Sequence, residues 1–213
     1  MPIIDLNHRV SSNWDGVHRY LKSPDSCVYV KDRAIDETNN PTSMEVEVGD
    51  AYIIPGDNKQ YKISEEGLKV PSRNSVVLYS KQKIMLPYNV FGVVTGKGNL
   101  IFQGCFISTG KIDPGFDGYL KIGFYNGGNK EVVLRNGEKF ASLFFISTEG
   151  TLEAPLQNYQ SAPPALLKHV KWYTRLWIWM KSNRVSLITW LFALPAALHY
   201  SKNVVNFLIN LFK

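Results

Sequence analysis

The sequence predicts a mainly β domain followed by a C-terminal α-helical membrane segment, and three observations carry that prediction. Between Ser43 and Thr148 the chain runs in short alternating or apolar segments cut by Gly, Pro and Asn. Asn-Gly pairs punctuate those segments, in "YNGGN" and "RNGE", and Asn-Gly accepts the positive φ that tight hairpins require. Beyond residue 149 the composition changes to a Pro-, Gln- and Ala-rich stretch and then to a basic, Trp-rich, acid-free tail.

In chain order, residues 1–42 are weakly periodic and read as an N-terminal extension packed on the β domain. Within them "WDGVHRYLKS" is compatible with a short helix and "DETNNPTS" reads as a loop. Residues 43–149 form the β domain. Its segments "SMEVEVGDAYII", "SVVLYS", "KIMLPYNVFGVV", "YLKIGFYN" and "EVVLRNGEKFASLFFIS" have the length and the β-branched and aromatic content of strands. Residues 150–165 read as a linker, and residues 166–213 as the helical tail.

The formal charge of +6 does not mark a nucleic-acid binder. Residues 1–153 hold 17 Lys and Arg against 18 Asp and Glu, so the basic excess belongs to the tail. Two cysteines, Cys27 and Cys105, with no secretory start to the chain, predict a reducing, cytosolic setting for the β domain. The four histidines are scattered with no metal-ligand spacing.

In the tail, Trp172, Trp177, Trp179 and Trp190 lie among five positive charges and the uncharged run "VSLITWLFALPAALHY", which includes Leu191 and Phe192. Indoles concentrate where an apolar interior meets water, and a basic surface suits anionic headgroups. The 16-residue run reaches only about 24 Å as a helix, short of the roughly 30 Å hydrocarbon core, and Pro195 interrupts it. A segment from Val185 to Phe212 would be long enough. Membrane lipids are thus the expected partner of the tail, with the β domain on the cytoplasmic side. The competing reading is a helix pair packed on protein.

"TGKIDPGFDGYLKIGFYNGG", Thr109 to Gly128, concentrates the functional signal. "IDPGFDG" predicts a sharp turn at a strand end, with Asp113 and Asp117 beside it. Together with "PTSMEVEVGDAY", "MLPYNVFGVVTGKGNL" and "VVLRNGEKFASLFF", the stretch resembles the dCTP deaminase and trimeric dUTPase superfamily over roughly Thr42 to Ser147.

That resemblance implies a dUTPase-like, dCTP deaminase-like β-barrel, a homotrimer or higher oligomer, and nucleotide sites built between neighbouring subunits. It requires no resident cofactor; Mg2+ would accompany a bound nucleoside triphosphate. The deaminases' Gly-Arg-Ser-Ser motif corresponds to Gly96, Lys97, Gly98 and Asn99, so the planar guanidinium fork and both hydroxyls are gone. Their general-base glutamate falls at Gly123, which cannot accept a proton. The water-orienting aspartate of the dUTPases corresponds to Asp113 and the ring beside their deoxyribose to Phe116. The closing-strand glutamine is Ser142, and no Gly-rich phosphate-closing motif follows Thr148.

Catalysis is therefore not expected, although Asp113 would carry it in an active hydrolase. The implied ligand contacts are Gly96, Lys97, Gly98, Asn99, Lys111, Asp113 and Phe116, with the "TGKGN" backbone as an anion cradle. The expected function is a non-catalytic nucleotide-binding sensor coupled to a membrane-active or membrane-anchoring tail, in the manner of a defence or signalling effector. A membrane-anchored dUTP diphosphatase or dCTP deaminase is the enzymatic alternative, and a structural trimerisation module the other.

Overall fold

The computed structural model describes residues 2–13, 27–33, 41–57, 59–153 and 180. The chain divides into two compact units, Met1–His169 and Val170–Lys213. In the first, α1 (Leu6–Arg9) leads into β1 (Val10–Ser11), β2 (Val28–Lys31), β3 (Met44–Ile53), β4 (Gln60–Lys62), β5 (Leu68–Val70), β6 (Asn74–Met85) and β7 (Val90–Gly96). A single turn of helix, α2 (Gly98–Phe102), precedes β8 (Cys105–Ile107), β9 (Gly110–Ile112), β10 (Asp117–Asn126), β11 (Val132–Leu134) and β12 (Lys139–Ser147).

The strands pair in the order β1-β2-β6-β3-β12-β7-β9, with β10 bridging β6 and β8, and β4 beside β3. Two long strands organise this arrangement. The first half of β3 pairs with β12, from Met44 to Glu47, and its second half pairs with β6 and β4. The crossing falls at Gly49, where an added Cβ would lie 2.8 Å from the Ser80 carbonyl oxygen and 2.9 Å from that of Tyr79. Only a residue without a side chain lets the two backbones approach so closely.

Alternation sets the core. Along β10 the residues Leu120, Ile122, Phe124 and Asn126 point inward, as the two-residue period of a strand dictates. Ala141, Leu143 and Phe145 do the same on β12. The N-terminal segment lies on this strand, with the Ile4 N–H donating to the Phe145 carbonyl at 2.9 Å and an isolated bridge joining Ile3 to Ile146. Ile4 and Leu6 are buried there.

Both predicted turns occur, but neither closes a simple hairpin. "RNGE" turns through Gly137 at φ 78°, with the Glu138 N–H donating to the Arg135 carbonyl at 3.1 Å. The strands that it joins pair elsewhere, β11 with β5 and β12 with β3 and β7. In "YNGGN" the glycines serve close approach: a Cβ on Gly127 would lie 2.8 Å from the Gly104 carbonyl oxygen, and one on Gly128 2.7 Å from that of Gln103.

Beside β4, the Tyr61 hydroxyl donates to Asp57 Oδ2 at 2.5 Å. That bond holds the Asp57 carboxyl below its ordinary range, while burial, and then the bond itself, pushes Tyr61 up to about 12. The lowered carboxylate contributes stability above its unfolded pKa, lost as pH falls through its folded value. The raised phenol contributes stability below its unfolded value near 10, lost as pH rises through about 12. Melting temperature measured against pH is therefore expected to lose both components in Tyr61→Phe.

The C-terminal helical membrane segment is not upheld. Among the described residues no helix is long and apolar enough to cross a membrane. The five residues of α2 reach about 7.5 Å, against a hydrocarbon core of roughly 30 Å. Trp172, Trp177, Trp179, Trp190, Leu191 and Phe192, on which that expectation rested, lie outside the described residues, as do "WDGVHRYLKS" and most of "DETNNPTS" and of the linker.

Candidate functional site

Two groups of side chains flank the β7 and β9 ladder. At the end of β9, Asp113, Pro114, Gly115 and Phe116 form a type II turn: Gly115 sits at φ 79°, and the Phe116 N–H donates to the Asp113 carbonyl at 3.1 Å. Proline pre-sets the first central position and glycine accepts the positive φ of the second, which is why "DPGF" turns here. The Phe116 carbonyl accepts the Leu86 N–H at 2.9 Å and its ring is buried, anchoring the turn to the chain after β6. Asp113 is the sheltered partner of an ion pair with the exposed Lys111, Oδ1 to Nζ 2.8 Å. Asp117 stands 2.8 Å from Lys83.

These contacts change the local reading of Thr109 to Gly128. Strand β9 pairs with β7 and strand β10 with β6 and β8, so the "DPGF" turn joins strands that take different neighbours.

The second group lies at the far end of β7. Lys97 follows Gly96 directly, and its carbonyl accepts the Leu100 and Ile101 N–H groups at 3.1 Å to start α2. Its ammonium does not project freely: Nζ lies 2.5 Å from Glu45 Oε2. The other carboxylate oxygen, Oε1, accepts the Ser142 hydroxyl at 3.5 Å. Asn99 Oδ1 accepts the Leu100 N–H at 2.9 Å. A Cβ added at Gly96 would meet Ile101 and Ile107 at 3.4 Å, and one at Gly98 the Phe102 ring at 3.7 Å.

Within one chain the two groups stay apart. Gly92 pairs with Ile112, so Asp113 is level with Phe91 while Lys97 lies five residues beyond Gly92. Six residues of strand separate them by about 20 Å at roughly 3.3 Å per residue. Asp113 and Lys97 of one copy therefore do not converge on one compact pocket.

Gly123 lies mid-strand on β10, opposite Val77. Its N–H donates to Ser108 Oγ at 2.8 Å, and its carbonyl accepts the Ser108 N–H at 2.8 Å. A Cβ on Gly123 would meet Ser108 Oγ at 3.3 Å. The position that lacks a carboxylate is thus packed against another side chain. Among the described residues no three His, Cys, Asp or Glu side chains gather as a metal site. Cys105 is buried, which pushes its thiol up, and lies behind Asn126 at 3.8 Å.

Motif reading missed two residues here, Glu45 and Ser108. Glu45 carries a signal in hindsight, since an acid in the apolar alternation "MEVEV" demands a cationic partner once the strand is covered. Ser108 carries none, because its role depends on a pairing between β8 and β10 that no local pattern announces.

The dUTPase family model matches residues 63–164. The dCTP deaminase of Pyrococcus furiosus is 32% identical over 129 residues, spanning 60% of this chain and 81% of that protein. The dCTP deaminase of Thermococcus kodakarensis is 30% identical over 128 residues, 60% of this chain and 82% of that protein. Among solved structures, the 2'-deoxycytidine 5'-triphosphate deaminase of Agrobacterium tumefaciens aligns with a TM-score of 0.47 at 18% identity, over 62% of this chain and 47% of that one. The fold is a mainly β, dUTPase-like one. The chain belongs to the dCTP deaminase and dUTPase superfamily.

Proposed function

We propose that this chain is a non-catalytic nucleotide-binding member of its superfamily. The observation that carries the reading is the pairing of a built turn with a filled base position. Asp113 and Phe116 are held by the type II turn that the ligand-contacting role requires, while Gly123 offers no proton acceptor and is closed by Ser108. Deamination needs a carboxylate within hydrogen-bond reach of the attacking water. The one acid on β10, Asp117 at its start, is paired with Lys83.

The site is completed by a second copy of the chain. Asp113 and Lys97 lie at opposite ends of one ladder, and Ile101 and Phe102 of α2, Phe106 of β8 and Tyr125 of β10 are exposed, Phe102 by 90%. Phe106 and Tyr125 are direct cross-strand partners, so two of these side chains form a continuous apolar surface. Covering such a surface is what a subunit contact does. A monomer in sedimentation at micromolar concentration would remove this part of the reading.

Calorimetric titration with dUMP, dUTP, dCMP and dCTP, run beside an assay for released ammonia and pyrophosphate, tests the whole. Saturable binding without turnover is expected, and Asp113→Ala is expected to weaken it at least ~10-fold, the loss of one charge-assisted contact. Steady release of pyrophosphate or ammonia would instead establish an enzyme acting through Asp113. Absence of all binding would leave a structural module.

A further inference from the structure

We infer that Arg73 anchors the contact between copies of the chain, its guanidinium taking a carboxylate of the neighbouring copy. The inference rests on the second-copy reading above and adds to it the residue and the chemistry that hold the contact.

The backbone at Arg73 is strained, and nothing that its side chain does within the chain offsets the strain. Arg73 sits at φ 60°, in the left-handed region. It is the third residue of a turn over residues 71–74, closed by the Asn74 N–H donating to the Pro71 carbonyl at 3.3 Å. A positive φ at that place belongs to a type II turn, which takes glycine there because a Cβ is crowded. The turn is held on all sides. The Arg73 N–H donates to the Asn126 carbonyl at 2.7 Å, the Ser72 hydroxyl to the Gly128 carbonyl at 2.5 Å, and the Asn74 side-chain amide to the Ser72 carbonyl at 2.9 Å. Glycine at position 73 would keep every one of these bonds. The arginine side chain itself is exposed and joins no ion pair among the described residues. Strain of this kind is retained at positions whose side chain serves a function.

The surroundings of Arg73 indicate the partner. In the register of β6 and β10, Asn74 pairs with Asn126 and Ser75 with Tyr125, and Tyr125 pairs in turn with Phe106 of β8. Arg73 therefore borders the row that carries the two exposed rings. Gly127 keeps the end of that row flat, since an added Cβ would lie 3.1 Å from the Tyr125 ring and 3.5 Å from that of Phe106. Aromatic rings beside an arginine are the composition of a protein contact, where both residue types are enriched and carry much of the binding energy. A small free anion would gain nothing from the rings. A second copy supplies acids as well as an apolar face: Glu65, Glu66 and Glu131 are exposed, and none is in an ion pair among the described residues. A planar guanidinium grips a carboxylate through two parallel N–H donors.

Sedimentation equilibrium of the full chain, of Arg73→Gly and of Tyr125→Ser reads the association, and urea unfolding at the most dilute concentration reads the stability of the single chain. Arg73→Gly is expected to raise the dissociation constant at least ~10-fold, the loss of one bidentate charge-assisted contact. Its urea midpoint is expected to equal or exceed that of the wild type, because glycine adopts the positive φ without strain. Tyr125→Ser is expected to weaken association as well. The inference is overturned if Arg73→Gly associates as the wild type does; Tyr125→Ser then tells whether the aromatic face forms the contact without it. A lowered urea midpoint in Arg73→Gly would overturn it too, by placing the role of the guanidinium inside its own chain. A wild-type chain that is monomeric at micromolar concentration would overturn the second-copy reading itself, and this inference with it.

Discussion

Asn126→Ala is expected to lower the free energy of unfolding by about 3–4 kcal/mol, read as a shift of the urea midpoint at unchanged slope. Asn126 is fully buried at the end of β10. Its amide nitrogen donates to the Val70 carbonyl at 2.9 Å and to the Lys130 carbonyl at 2.8 Å, and its Oδ1 accepts the Gly128 N–H at 3.1 Å. Alanine would leave the buried Val70 carbonyl and the part-buried Lys130 carbonyl and Gly128 N–H unpaired, each costing about 1–3 kcal/mol where water cannot replace the partner. Relaxation of the Gly127–Gly128 segment toward solvent would recover part of that sum. The backbone carbonyl of residue 126, which accepts the Arg73 N–H at 2.7 Å, is kept by alanine, so the tie to the start of β6 survives the substitution. A midpoint unchanged within error would show that the three bonds are replaced by water at little cost.

Phe145→Ala is expected to cost about 3–5 kcal/mol, the range for deleting a fully buried aromatic ring. Phe145 is completely buried on β12. An added Cβ on Gly92 would come within 3.3 Å of its ring, so β7 packs directly on it. Strand β12 has β3 on one side and β7 on the other, and a cavity there disturbs the register that aligns Glu45, Ser142 and Thr95. Loss of stability is therefore expected together with weakened ligand binding in calorimetry. Full retention of affinity for the proposed nucleotide at reduced stability would show that the Glu45, Ser142 and Thr95 register does not depend on this ring.

Much of the fold was legible because it rests on period-two patterning and on turn chemistry. "YLKIGFYN" alternates in the sequence as it does in the structure, and "DPGF" turns because Pro and Gly satisfy the two central positions of a type II turn. The pairing of these strands was less legible. The stretch from Thr109 to Gly128 resembles a hairpin locally, yet β9 and β10 take different neighbours, a choice made by β6, β7 and β8 competing for their edges. The glycines of "YNGGN" were read as positive-φ residues, whereas close approach to the Gln103 and Gly104 carbonyls explains them. The helical membrane tail was the expectation that failed, since a hydrophobic run speaks to burial and leaves open what buries it.

At the site, residue types decide which side-chain groups are present. Gly123 has no group that can accept a proton, and Lys97 and Asn99 replace the fork and hydroxyl of the family motif, whatever surrounds them. Those losses are properties of single side chains, and the sequence alone determined them. What the remaining groups can do was decided only by the tertiary structure, because it depends on distances across strands far apart in the chain. Lys97 is free or neutralised according to where Glu45, 52 residues away, places its carboxylate, and Gly123 is open or sealed according to where Ser108 sits. Charge and hydrogen bonding act over a few ångström, and only the folded pairing of β3, β12 and β7, and of β8 with β10, brings such groups within that range.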